Sequence, residues 1–184
     1  MAYKSQLMNF RFTLSDLNRQ VYVSHHLIVP VDLPLGKSQN VLKLLAISLL
    51  SGQDEYYKTK FCPKYNAINP DVVIHNEIDP LSRPIWIFTH PLTKIEKKKV
   101  SHKMIRPINV CFLSDLKDQD VEGDLVFETG LFELLAQTLQ KSVSWHIIIE
   151  GSRISVSCED SYVCGEISLN KLSLYTETRL KQIA

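Results

Sequence analysis

At 184 residues the chain is long enough for one domain with a real core and short for two. Its 45% hydrophobic and 22% charged residues are ordinary for a soluble globular protein. Formal net charge is +1, from 21 basic against 20 acidic residues, which excludes a global field able to capture nucleic acid by itself and leaves only a local basic face for that purpose.

The first residues, Met1 to Gln6, lack the apolar core of a signal peptide, and no apolar run approaches the roughly 18 residues that span a bilayer. A cytoplasmic location is the default expectation. Cys62, Cys111, Cys158 and Cys164 are spread out and form no Cys-x-x-Cys pair, so a structural zinc is not expected. Cys158 and Cys164 are spaced to face each other across a hairpin, although reduced thiols are the expectation in the cytoplasm.

In chain order, Leu7, Asn9, Arg11 and Thr13 interleave with Met8, Phe10, Phe12 and Leu14. Val21, Val23, Leu27 and Val29 follow after the turn segment Ser15 to Arg19, and together they predict a β-hairpin with one packed face. His25 and His26, adjacent in that second strand, point to opposite faces. Val41 to Leu49 predict a largely buried helix, punctuated by Pro34 and Gly36 before it and Gly52 after it. Residues 53–69 are polar and aromatic without a stable period and are expected to form a loop. Val72 to Ile74 and Ile85 to Phe88 are short β-rich runs joined by a proline-containing loop. Thr93 is placed to N-cap a helix running to about Met104. Arg106 to Leu113 alternates as a strand, Glu128 to Gln140 carries a leucine stripe for a helix, and residues 143–149, 153–158 and 162–169 are strands separated by turn residues. Trp86 and Trp145 flank apolar strand positions and are expected in the core. The predicted order ββ-α-ββ-α-β-α-βββ is a mixed α+β protein with much antiparallel pairing, in one domain covering residues 1–184.

Pro70-Asp71 opening a strand, then a second strand and a basic helix, is the layout of the PD-(D/E)XK restriction-endonuclease-like core. There an Asp opens one strand and an acidic residue with a Lys lies on the next. Two carboxylates hold Mg²⁺, which lowers the pKa of a bound water, and the Lys orients or deprotonates that water. A Pro-Asp pair alone is usually just a turn or a strand start. The wider sequence resembles the bacterial YaeQ family, small domains with that nuclease-like core, over nearly its whole length. Ser15-Asp16-Leu17-Asn18-Arg19 is similar to the family's turn after the first strand, and Leu42-Lys43-Leu44-Leu45-Ala46 to its first helix, where Arg often replaces Lys43. Asn69-Pro70-Asp71 is similar to its Glu-Pro-Asp/Glu, Ile85-Trp86-Ile87 to the strand before its Glu, Lys98-Lys99-Val100 to its Lys-Ala helix segment, and Ile149 to Ile154 to its last hairpin. The order and spacing of these segments carry the resemblance.

The departures concern chemistry. Phe88 stands where the family strand places Glu, Pro84 where an Asp often lies two residues before the Trp, and His90 where a Gly commonly follows the Glu. The first helix begins without the usual acidic residues. Of the acidic set only Asp71 matches, and one carboxylate binds Mg²⁺ poorly. Glu96-Lys97-Lys98 spells E-x-K, but on a helix, where residues two apart point to different faces. His90 is a candidate donor to phosphate or a metal ligand, with Asp71 as its partner. No P-loop, Gly-x-Gly-x-x-Gly or nucleophile-elbow motif is present.

The expectation is therefore a catalytically eroded, YaeQ-like domain that acts by binding nucleic acid or a protein partner. Its candidate catalytic positions are Asp71, His90, Lys98 and Lys99. Lys94, Lys97, Lys98, Lys99 and Lys103 form a candidate phosphate-contacting stripe. The alternatives are a Mg²⁺-dependent nuclease or phosphodiesterase, with Asp71 joined by a relocated acid such as Glu77 or Asp79, and an interaction domain that touches no polynucleotide.

Overall fold

The computed structural model of the chain describes residues 6–31, 36–50, 57–61, 68–78, 83–90, 92, 94–101, 105–113, 125–159 and 161–169. The opening hairpin is β1 (Gln6–Asp16) and β2 (Val21–Val31), followed by α1 (Lys37–Leu50). Next come β3 (Tyr57–Phe61), β4 (Val72–Asn76), β5 (Ile85–Phe88), α2 (Lys94–Ser101) and β6 (Arg106–Leu113). The chain continues through β7 (Leu125–Glu128), α3 (Thr129–Thr138), β8 (Ser142–Glu150), β9 (Arg153–Cys158) and β10 (Ser161–Leu169). All ten strands join one sheet in the order β2-β1-β8-β9-β10-β7-β6-β5-β4-β3. The pairs β1–β8, β5–β6 and β6–β7 are parallel and the others antiparallel, so the mixed α+β expectation holds.

Two of these strands lie outside the sequence-based expectation. β3 falls in the segment read as loop; its Tyr-Lys-Thr-Lys-Phe alternates over only five residues and lies at the sheet edge, where one neighbouring strand supports it. β7 is four residues long, and its apolar run leads straight into α3, so periodicity alone cannot separate strand from helix there.

Strand alternation divides the core between two faces of the sheet. Met8, Phe10, Phe12 and Leu14 of β1 and Val143, Trp145, Ile147 and Ile149 of β8 point to one face, all 3% exposed or less. There they meet α1, whose residues from Asn40 to Leu50 are every one buried, and α3 packs beside it. A helix enclosed on all sides has no polar stripe to give it a strong amphipathic period. Gly165 of β10 allows α3 to approach, since a Cβ there would lie 2.6 Å from Leu131 Cγ. On the opposite face Ile68, Val73, Trp86, Phe88 and Val100 form a second, smaller cluster, through which α2 packs on β4 and β5.

Three segments that carry the sequence resemblance converge in space. Asn18 in the β1–β2 turn donates its side-chain amide to Gly151 O and accepts from Gly151 N, both at 2.8 Å, joining that turn to the β8–β9 turn 133 residues away. Leu17 N donates to Ile149 O at 2.9 Å. Asp16, 1% exposed, accepts from the backbone N and the guanidinium of Arg19, which also reaches Leu49 O at the end of α1. The turn motif is thus a staple that ties two hairpins and a helix together. Gly151 adopts φ +59°, a conformation glycine enters without the Cβ penalty.

His25 and His26 do point apart: His25 packs against Phe12 on the core side at 5.3 Å, and His26 is exposed on the other. Cys158 and Cys164 do not face each other. Their partners across the hairpin are Ser161 and Ser155, and their side chains lie on opposite faces as free thiols, Cys158 buried and Cys164 half-buried. Among the described residues no helix is long and apolar enough to cross a membrane.

Candidate functional site

Asp71 sits one residue ahead of β4, where Asp71 N donates to Ile87 O at 2.9 Å. Val72 pairs with Ile87, so continuing the antiparallel register sets Asp71 opposite Phe88 on the face that α2 covers. Just past β5 the chain turns through Thr89 and His90. Thr89, 7% exposed, donates its backbone N–H (2.8 Å) and its hydroxyl (3.0 Å) to Asp71 Oδ2. His90 Nδ1 lies 3.5 Å from the same oxygen. All three contacts converge on Oδ2. The Asp71 side chain is 23% exposed.

Phe88 separates this cluster from the basic helix. Its side chain is fully buried between Trp86, at 6.4 Å between ring centroids, and His90, whose ring meets it edge-on at 5.9 Å. Val100 of α2 completes its surroundings. The Phe88 ring therefore joins α2 to the sheet. Lys98 and Lys99, beside Val100 in sequence, are exposed on that helix. Asp71, Phe88, His90 and α2 form one neighbourhood, as the spacing predicts. Thr89, which sequence reasoning did not single out, is the residue that holds Asp71.

Of the acids considered as relocated ligands, Glu77 does not come together with Asp71. Glu77 lies beyond the far end of β4, about 20 Å away at the usual rise per strand residue, and pairs with Lys58 at 3.5 Å. Asp79 lies outside the described residues. Glu96 and Lys98 are on α2, so the E-x-K spelling does not sit at the end of β5. The side chains of Lys94 and Lys97 and the whole of Lys103 also lie outside the description. Among the described residues no group of three His, Cys, Asp or Glu side chains is placed to hold a metal ion. Mg²⁺ requires a near-octahedral set of oxygen ligands, and one carboxylate beside an imidazole does not fit it.

No protein-family model and no curated protein matches the chain. Solved structures do. The crystal structure of YaeQ protein from Xanthomonas axonopodis pv. citri superposes with a TM-score of 0.71 at 16% identity, covering 90% of this chain and 98% of that one. This chain has the YaeQ fold. A second structure, YaeQ protein from Pseudomonas syringae, agrees with a TM-score of 0.70, 16% identity and coverage of 91% and 96%. The match to the YaeQ fold thus extends over about nine-tenths of the chain.

Proposed function

We propose that this YaeQ-like protein is a nuclease-like domain whose acidic site has been given over to packing, and that it works by binding phosphate-bearing nucleic acid without cleaving it. The observation that carries this reading is the pair Asp71 and Phe88. One position of the acidic set is a buried ring under α2, and the remaining carboxylate holds Thr89 in place. The strand opened by Asp71, its antiparallel neighbour β5 and the basic helix α2 support descent from a PD-(D/E)XK-like layout.

His90, with Asp71 beside Nδ1, presents its other ring nitrogen as a donor to a phosphate oxygen, and Lys98 and Lys99 supply positive charge on α2. Such contacts are mostly sequence-independent and fall with salt. Filter binding of single- and double-stranded DNA and RNA at two salt concentrations tests the proposal. Binding that weakens steeply with salt, with a log–log slope reduced by roughly 2 in Lys98→Glu/Lys99→Glu, supports it. Absence of binding at low salt overturns it in favour of a domain that recognises protein alone.

A further inference from the structure

The two edges of the ten-stranded sheet are built differently. β3, at one end, is five residues long and carries Lys58 and Lys60, with Lys58 paired to Glu77. Short length and lysines are the usual devices that keep an edge from pairing with another chain. β2, at the other end, is eleven residues long, roughly 36 Å, and its sequence Val-Tyr-Val-Ser-His-His-Leu-Ile-Val-Pro-Val contains no Lys, Arg, Asp or Glu.

The backbone of β2 is also oriented for pairing. Asn9 N and Leu17 N donate to Lys141 O and Ile149 O, so the odd residues at β1 direct their backbone groups to β8 and the even residues direct theirs to β2. The even residues of β1 pair with the odd residues of β2. Tyr22, Ser24, His26, Ile28 and Pro30 therefore turn their carbonyls, and all but Pro30 an N–H, away from the sheet. Pro30 has no N–H to lose in the ladder, as befits an edge. On the core side the packing is unfinished along the same strand. Val21, Val23, His25 and Leu27 are only half-buried, although the β1 residues beside them are almost fully covered.

We infer that β2 pairs antiparallel with β2 of a second copy of this chain about a two-fold axis at His26, making one continuous sheet across a homodimer. Full overlap of the eleven residues requires that centre. His26 then meets the partner's His26, Ser24 the partner's Ile28 and Tyr22 the partner's Pro30. On the core side Val23 meets the partner's Val29, Val21 the partner's Val31 and His25 the partner's Leu27. An uncharged strand with apolar residues on both sides of its centre is self-complementary under this operation, as a closed two-fold interface requires. The interface rests on β2 alone and is independent of the nucleic-acid reading.

Ser24 and Ile28 both point to the solvent face and are exposed, so substitutions there leave the core untouched. Sedimentation equilibrium over a concentration series is expected to show a dimer for the wild type. Ser24→Lys/Ile28→Lys sets lysine against lysine twice across the axis and should weaken dimerisation at least tenfold. Ser24→Lys/Ile28→Glu sets unlike charges at the same places and should restore the dimer, while showing that both positions tolerate change. A wild type that is monomeric at all concentrations overturns the inference, as does a dimer that persists in the double-lysine variant. A Lys/Glu variant as monomeric as the Lys/Lys one overturns the register.

Discussion

Thr89 donates twice to a single oxygen of Asp71, from its backbone N–H at 2.8 Å and from its hydroxyl at 3.0 Å. A carboxylate used this way fastens the end of β5 to the start of β4 and sets the direction in which His90 leaves the strand. Asp71→Ala leaves two donors of a buried residue without an acceptor, a loss of roughly 1–3 kcal/mol of stability. Asp71→Asn keeps a carbonyl oxygen at the position and should lose less. Urea unfolding of the two variants, compared at unchanged m-value, checks the order.

Phe88 is expected to matter for folding and not for chemistry. Phe88→Ala should cost about 3–5 kcal/mol, the range for removing a large buried ring. Phe88→Glu, which places the acid expected of a nuclease-like strand at this position, buries a carboxylate among Trp86, Val73 and Val100 and should be at least as damaging. Thermal unfolding with a nuclease assay on the same samples reads both effects. A stable, active Phe88→Glu protein contradicts the packing account.

The Asp16–Arg19 pair should show the asymmetry of a buried ion. Asp16 is almost fully covered while Arg19 is 22% exposed at its side chain. Arg19→Ala leaves the carboxylate with only the Arg19 backbone N–H and should destabilise by roughly 3–5 kcal/mol. Asn18→Ala, which removes two 2.8 Å bonds to an exposed turn, should cost about 1–2 kcal/mol. Denaturant midpoints of the two variants give the comparison.

The two cysteines of the last hairpin should separate by pH. The Ser155 hydroxyl, 3.3 Å from Cys164 Sγ, with Tyr162 and Arg153 beside it, holds the Cys164 thiol below its ordinary range, whereas burial pushes Cys158 up. The fold favours the Cys164 thiolate, so that contribution is present above the unfolded thiol pKa and is lost as pH falls through the folded one. For Cys158 the sign reverses: the contribution is present below the unfolded pKa and is lost as pH rises through the folded one. Peptide-mapped alkylation should modify Cys164 at lower pH and faster than Cys158.

Much of the framework was legible because burial here follows simple periods. The alternation in β1 and β8, the apolar run of α1 and the strand at Trp86 each report one side facing a core or a helix enclosed by it. β3 and β7 were not legible, since a five-residue edge strand and a four-residue run feeding a helix carry too few periods to count. The neighbourhood of Asp71, Phe88 and His90 followed from spacing, but Thr89's hold on Asp71 did not. A threonine at a strand end has the same sequence signal whether its hydroxyl meets water or a carboxylate. Likewise the Asn18–Gly151 staple joins turns 133 residues apart, a separation at which local pattern carries no information.

The central claim, binding without metal-dependent hydrolysis, is tested most directly by calorimetric titration of Mn²⁺ into the wild type and into Asp71→Ala. With the ligand set described, neither protein should show a stoichiometric site and the two titrations should superpose. A single site in the wild type that disappears in Asp71→Ala would contradict the account and favour the metal-dependent alternative.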